Sequence, residues 1–280
     1  MKSIGFIDYY LDEWHANNYP AWISKTAGDK MKVSCAWAQI DSPIGGMSNA
    51  EWCGKHGVTL CKTPGEVVEK SDYLIVLSPD DPDRHEVLCV EAFASGKPVY
   101  VDKTFAPDYK TAVRLANMAE RGRSPFFTSS ALRFADEYTG MEASGIAAIA
   151  TMGGGDYINY LVHQIEPIVM LMNARAKRVM CTGALALPAF VVEFEDSRRA
   201  HITVSSRAPF AAAIKTEKDG DRFISVQSDF FSVFIARMCE FFENNEPLFP
   251  LWQTLEIMAI RESCCASIVK TDQWIDVPGA

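Results

Sequence analysis

The chain has 280 residues, 48% of them hydrophobic and 22% charged, with a formal net charge of -9 and a pI near 5.1. That length accommodates two modest domains with separate cores, and the acidic balance excludes nucleic acid, whose phosphate backbone demands clustered Lys and Arg. No run approaches the ~18 apolar residues of a membrane span, and no apolar export segment with a cleavage site follows Lys2, so a cytoplasmic protein that binds no membrane is expected. Small molecules and further copies of the chain remain as partners.

The first ~125 residues alternate strand-like and helix-like stretches. Strands are predicted over Lys2 to Ile7, Lys32 to Ile40, Asp72 to Ser78, Pro98 to Lys103 and Pro125 to Ala131, and helices near Asn49 to His56, Asp83 to Ser95 and Pro107 to Arg121. Such alternation implies a doubly wound parallel sheet of Rossmann-like type with helices on both faces. Ligands in these sheets sit at the carboxyl ends of the strands, beside the switch in strand order.

After Arg133 the pattern changes. One helix is predicted over Asn159 to Met172, followed by strands at Arg178 to Leu185, Phe190 to Phe194, Ala200 to Ser205 and Phe223 to Val226, and then helices at Phe230 to Glu243 and Leu251 to Val269. The expected organisation is therefore a dinucleotide-binding domain over 1–125 and, over 126–280, an α+β domain built on an open, mainly antiparallel sheet. The eight cysteines show no CxxC pair and no Cys/His ligand spacing, so they read as small core thiols and no metal is expected.

Within the second domain, Ile158, Leu161, Val162, Ile165, Val169 and Met172 recur at helical spacing, and Asn159, His163 and Glu166 form a polar stripe beside them. A histidine on such a stripe is by default solvated or hydrogen-bonded, and Lys103, at the end of a predicted strand, is by default solvent-facing.

Three stretches together resemble the Gfo/Idh/MocA family, the relatives of glucose-fructose oxidoreductase and inositol dehydrogenase. SDYLIVLSPDDPDRHEVLCVEAFASGKPVYVDKT (71–104) is similar to its Thr/Ser-Pro turn, His, Gly-Lys and Glu-Lys-Pro series, here Ser78-Pro79, His85, Gly96-Lys97 and Asp102-Lys103-Thr104. GGGDYINYLVHQIEPIVMLMN (153–173) resembles its Gly-Gly-Gly followed by Asp-x3-His-x2-Asp, and FPLWQTLEIMAIRESCCASIVKTDQWIDVP (249–278) its closing helix and terminal strand. The resemblance implies an oxidoreductase transferring hydride between NAD or NADP and a sugar, cyclitol or related polyol. It implies Lys103, His163 and Asn159 as catalytic residues, and Asp8, Tyr9, Tyr10, Ser78, Pro79, His85 and Asp102 as cofactor-binding residues. Arg133, Tyr157 and Glu166 would bind substrate, and the second-domain sheet would pair with its copy in a homodimer or homotetramer.

The departures from the family lie where a dinucleotide would be held. IGFIDYYLDEWH (4–15) lacks the glycine-rich turn that follows the first strand, and brings Asp8, Asp12 and Glu13 there with no Lys or Arg between Lys2 and Lys25. Like charges a few Å apart cost on the order of several kcal/mol, so pyrophosphate is expected to be poorly received, and Asp8→Gly to improve matters. Asn159 and Glu166 replace the two Asp of the helix motif, so His163 is expected to be a weaker base. These departures support an alternative, a family member without cofactor that binds a ligand or assembles with a partner. A third reading, a metal or cationic ligand held by Asp8, Asp12, Glu13, His15 and His163, matches no metal-ligand spacing.

Overall fold

The computed structural model describes residues 1–78, 80–141, 145–184, 186–217 and 220–279. They divide into two compact units, Met1–Thr128 with Ser232–Pro250, and Ser129–Phe231 with Leu251–Ala280.

In the first unit the elements run β1 (Lys2–Asp8), α1 (Trp14–Ala27), β2 (Met31–Ala38), α2 (Asn49–His56), β3 (Thr59–Leu60), α3 (Pro64–Lys70), β4 (Tyr73–Val76), α4 (His85–Ala94), β5 (Val99–Val101), α5 (Tyr109–Gly122) and β6 (Phe126–Phe127). The strands form one sheet in the order β3-β2-β1-β4-β5-β6, with every pairing parallel. This is the expected doubly wound sheet, and its order reverses between β1 and β4.

Buried Ile4, Phe6 and Ile7 make β1 the centre of the core. A side chain on Gly5 would lie 2.2 Å from Ser71 Oγ, so the missing Cβ is what lets α3 approach the strand. α2 has the capping box its sequence announces, Ser48 accepting from Glu51 N–H while the Glu51 carboxylate accepts from Ser48.

The second unit contains β7 (Ile146–Gly153), α6 (Tyr157–Met172), β8 (Ala176–Ala184), β9 (Leu187–Phe194), β10 (Arg199–Val204), β11 (Ala211–Thr216) and β12 (Asp221–Ser225). α7 (Phe230–Asn244) follows and lies mostly in the first unit, where Phe234 and Phe241 pack on Phe127 and Phe242 stacks on Tyr73. α8 (Leu251–Ser267) and β13 (Trp274–Asp276) complete the second unit. Leu185, expected to end a strand, lies outside the described residues.

The second sheet has the order β12-β11-β7-β10-β9-β8-β13, and only the β7–β10 pairing among the described strands is parallel. The expected open, mainly antiparallel sheet is thus present. α6 and α8 pack together and onto it, and the strand alternation buries Ile149, Val179, Phe190, Val192, Ile202 and Ile214. The alternate positions present Ala150, Met152, Val191, His201, Thr203 and Ala213, with Met152 and, on β12, Phe223 exposed.

Five elements escape the sequence patterns: α1, α3, β3, β7 and β11. β7 (IAAIATMG) and β11 (AAAIKT) are alanine-rich, and pairing with partners on both sides makes them strands despite that composition.

Candidate functional site

In the first unit the sequence-predicted residues converge on the carboxyl ends of β1, β4 and β5. Asp8 ends β1 and is fully buried; its Oδ1 accepts from Tyr9 N–H at 2.6 Å, and Oδ2 is buried without a hydrogen-bond partner. Burial pushes its pKa well above the usual carboxylate range, and the Glu13 carboxylate adds to the shift. Asp102 follows β5, with Oδ1 accepting from Tyr100 O–H at 3.0 Å and Oδ2 at 3.8 Å from His15 Nε2.

Two residues that the sequence patterns do not place at a helix start are central here. Glu13 is the N-cap of α1, its carboxylate accepting from the backbone N–H of His15 at 2.8 Å and of Ala16. The His15 ring reaches back, Nδ1 lying 3.0 Å from Glu13 Oε2. Burial alone would lower the pKa of His15; Asp102 and Glu13 outweigh it and hold the imidazole above its ordinary value.

The surrounding turn is tied in place. Asp12 accepts from Asn17 Nδ2 at 2.9 Å and from Met47 N–H at 2.8 Å, which lowers its pKa. Asp41, the carboxylate beyond β2, accepts from Asn49 N–H at 2.7 Å, and Asn49 Oδ1 accepts from Leu11 N–H.

Tyr9 and Tyr10 meet edge to face, and the Arg84 guanidinium lies 4.5 Å from the Tyr9 ring centroid. Ser78 is buried, donating to Asp81 O at 2.6 Å. His85 is fully buried with Nδ1 3.0 Å from Phe105 O, and burial lowers its pKa. Pro79 lies outside the described residues. Lys103 Nζ forms an ion pair with Asp80 at 3.1 Å, and the Lys103–Thr104 peptide is cis.

The second unit assembles a separate group. The Gly-Gly-Gly stretch closes β7 and turns into α6: a side chain on Gly153 would strike Gln164 Nε2, and Gly155 has φ +92, a conformation that L side chains rarely adopt. Asp156 caps α6, accepting from Ile158 and Asn159 N–H at 2.9 Å, and Asn159 Nδ2 lies 3.4 Å from its Oδ2. Tyr157 opens the helix, half-buried.

His163 Nδ1 is 2.7 Å from Ser130 Oγ, and its ring packs beside Tyr160 and Phe210. Ser130 is a partner the sequence patterns do not reveal, because it is the N-cap of the 3-10 turn Ala131–Phe134 that contains Arg133. Arg133 and Glu166 pair at 2.8 Å, both buried; Glu166 also accepts from Ser129 Oγ and Ser130 N–H, and Arg133 donates to Gln253 Oε1. Burial raises the pKa of Glu166 and lowers that of Arg133. Lys103 and His163 belong to different units.

Among the described residues no cluster of His, Cys, Asp and Glu has the geometry to hold a metal ion, and no helix is long and apolar enough to cross a membrane.

No protein-family model matches the sequence, and no curated protein matches it. Solved structures do match by fold. Scyllo-inositol dehydrogenase from Lactobacillus casei, with bound NAD(H) and scyllo-inositol, superposes with a TM-score of 0.77 at 13% identity, covering 98% of each chain. Myo-inositol 2-dehydrogenase from Lactobacillus plantarum gives 0.77 at 12% identity over 99% of each chain. GenD2 of gentamicin A biosynthesis, in complex with NAD, gives 0.76 at 12% identity over 100% of this chain and 97% of that one. At these identities the likeness shows a shared fold, that of two-domain dehydrogenases.

A dinucleotide is the cofactor this fold implies, and its phosphate end does not fit the turn after β1. The His15 and Ala16 N–H groups that open α1 are already taken by the Glu13 carboxylate.

Proposed function

We propose that this chain acts on a sugar, cyclitol or related polyol as a divergent relative of the Gfo/Idh/MocA oxidoreductases. The observation that carries the reading is the likeness, over nearly the full length of both chains, to solved inositol dehydrogenases. It supports a polyol as the small-molecule substrate, with NAD or NADP as the cofactor this reading requires and the Glu13-capped turn opposes. Lys103 and His163 are the working pair: His163 accepts the proton of a substrate hydroxyl and Lys103 places positive charge against the oxygen. Arg133 pairs with Glu166 on the helix that carries His163, and Ser130 holds the ring of His163.

A second reading is favoured by the Glu13 cap: the chain binds its polyol, or assembles with a partner, without a dinucleotide. Both readings take a homodimer or homotetramer formed through the open face of the second sheet, where Met152 and Phe223 are exposed, and the free thiols favour a reducing, cytoplasmic setting.

The deciding experiment titrates the protein with NADH and NADPH by nicotinamide fluorescence, and with myo-inositol, scyllo-inositol and simple sugars by calorimetry. Dinucleotide binding tighter than ~100 µM with polyol-dependent reduction of NAD or NADP supports the oxidoreductase. Polyol binding with no dinucleotide binding supports the second reading. Absence of any polyol binding overturns the oxidoreductase and polyol-binding readings and leaves only the assembly role.

A further inference from the structure

We infer that Glu13 is a built-in anion: its carboxylate fills the seat at the N-terminus of α1 where Rossmann-type sheets receive a phosphate, so this chain holds no pyrophosphate there. The N-terminus of a helix attracts negative charge because its first N–H groups lack intrahelical partners and the helix dipole points its positive end outward. α1 starts directly after the central strand β1, at the switch in strand order, which is the position where such a sheet presents that charge to a ligand.

Here the two N–H groups of His15 and Ala16 bond to Glu13, whose side chain is only 3% exposed. His15 adds a third donor, its Nδ1 3.0 Å from the same carboxylate. Two backbone N–H groups and an imidazole converging on one carboxylate reproduce the donor set of an anion site, with the anion supplied by the chain. The loop after β2 reinforces the arrangement, because Asp12 ties Met47 N–H across the turn and Asp41 is committed to Asn49 N–H.

Asp8 is the less important carboxylate. It is fully buried and has one oxygen without a hydrogen-bond partner, the environment of a neutral acid, and a neutral carboxyl does not repel phosphate. The sequence pattern alone points to Asp8 as the obstacle; the geometry points to Glu13. The inference rests on the fold likeness and holds whether or not the ligand is a polyol.

The test uses the full chain and two probes, inorganic pyrophosphate followed by calorimetry and NADH followed by fluorescence, on wild type, Glu13→Ala, Glu13→Gly and Asp8→Asn. Wild type is expected to saturate with neither probe below about 1 mM, a limit at the weak end of useful cofactor and substrate affinities. Glu13→Ala, with the donors released, is expected to bind pyrophosphate at least about tenfold tighter than wild type, and Asp8→Asn to remain like wild type. Should Glu13→Ala fail to fold by circular dichroism, Glu13→Gly, which also leaves the His15 and Ala16 N–H groups free, carries the same criterion. The inference is overturned if wild type binds either probe below ~100 µM, if a folded Glu13 variant gains nothing, or if Asp8→Asn gains as much. Wild-type NADH binding would thus remove this inference while strengthening the oxidoreductase reading, and loss of polyol binding would remove that reading while leaving Glu13 in its seat.

Discussion

Replacing Arg133 with Met separates a structural role for the buried ion pair from a ligand-binding one. Arg133 is 8% exposed and Glu166 1%, and their 2.8 Å contact is supplemented on the carboxylate by Ser129 Oγ and Ser130 N–H. Arg133→Met leaves that carboxylate buried with only neutral donors, and breaking a buried pair in this way costs about 3–5 kcal/mol. Against a total stability of roughly 5–15 kcal/mol the loss is large.

The loss also depends on pH, with a definite sign. Burial raises the pKa of Glu166 and Arg133 pulls it back down, so in the variant it lies still higher. A carboxyl whose folded pKa exceeds its unfolded value is most stabilising below the unfolded value, near 4.5, and that stability is lost as pH rises through the folded one. The variant should therefore recover stability between about pH 7 and pH 5, and adding Glu166→Leu should restore much of the loss at neutral pH. Urea denaturation followed by tryptophan fluorescence at both pH values measures this. A loss below about 1 kcal/mol, or an equal loss at both pH values, refutes the reasoning. If stability is unchanged and polyol affinity falls instead, Arg133 is a ligand-binding residue.

The imidazole of His15 should titrate above its ordinary value in NMR spectra and move down in Glu13→Gln, since Glu13 and Asp102 hold it raised against burial; its contribution to stability is full below pH 6.5 and fades as pH rises through the folded pKa. An unchanged His15 titration in that variant would show that Glu13 does not hold the ring. Lys103→Ala and His163→Ala should each abolish any polyol oxidation, and Asn159→Asp should raise the rate near neutral pH by increasing the basicity of His163; oxidation indifferent to all three excludes these residues from the reaction. Met152→Glu with Phe223→Glu should convert an oligomer to monomer in light scattering, because two like charges cannot be buried unpaired across the sheet face. A wild type that is already monomeric at micromolar concentration removes the expected assembly.

Much of the fold can be read from local chemistry. β1, α2 and α6 announce themselves because each carries its own signal within a few residues: an apolar run, a Ser-x-x-Glu capping box bounded by a left-handed Gly57, and a 3.6-residue apolar period. α1 does not, since Asn17, Asn18 and Pro20 interrupt its sequence and its cap is Glu13, an uncommon residue for that role. It is a helix because Tyr19 and Ile23 bury against the sheet, a gain that only the folded unit provides.

The same division runs through the candidate site. Lys103 and His163 were legible, being strand-end and helix-stripe residues whose placement follows from local periodicity, and the crowding of Asp8, Asp12 and Glu13 after β1 was countable from the sequence. Which carboxylate caps α1, which is buried with an unpartnered oxygen, and that Ser130 meets the ring of His163 depended on the tertiary structure. A sequence specifies which charges lie within a turn, but the cost of each is set by its burial and its donors, and those are supplied by segments far away along the chain, as when β5 brings Asp102 to His15.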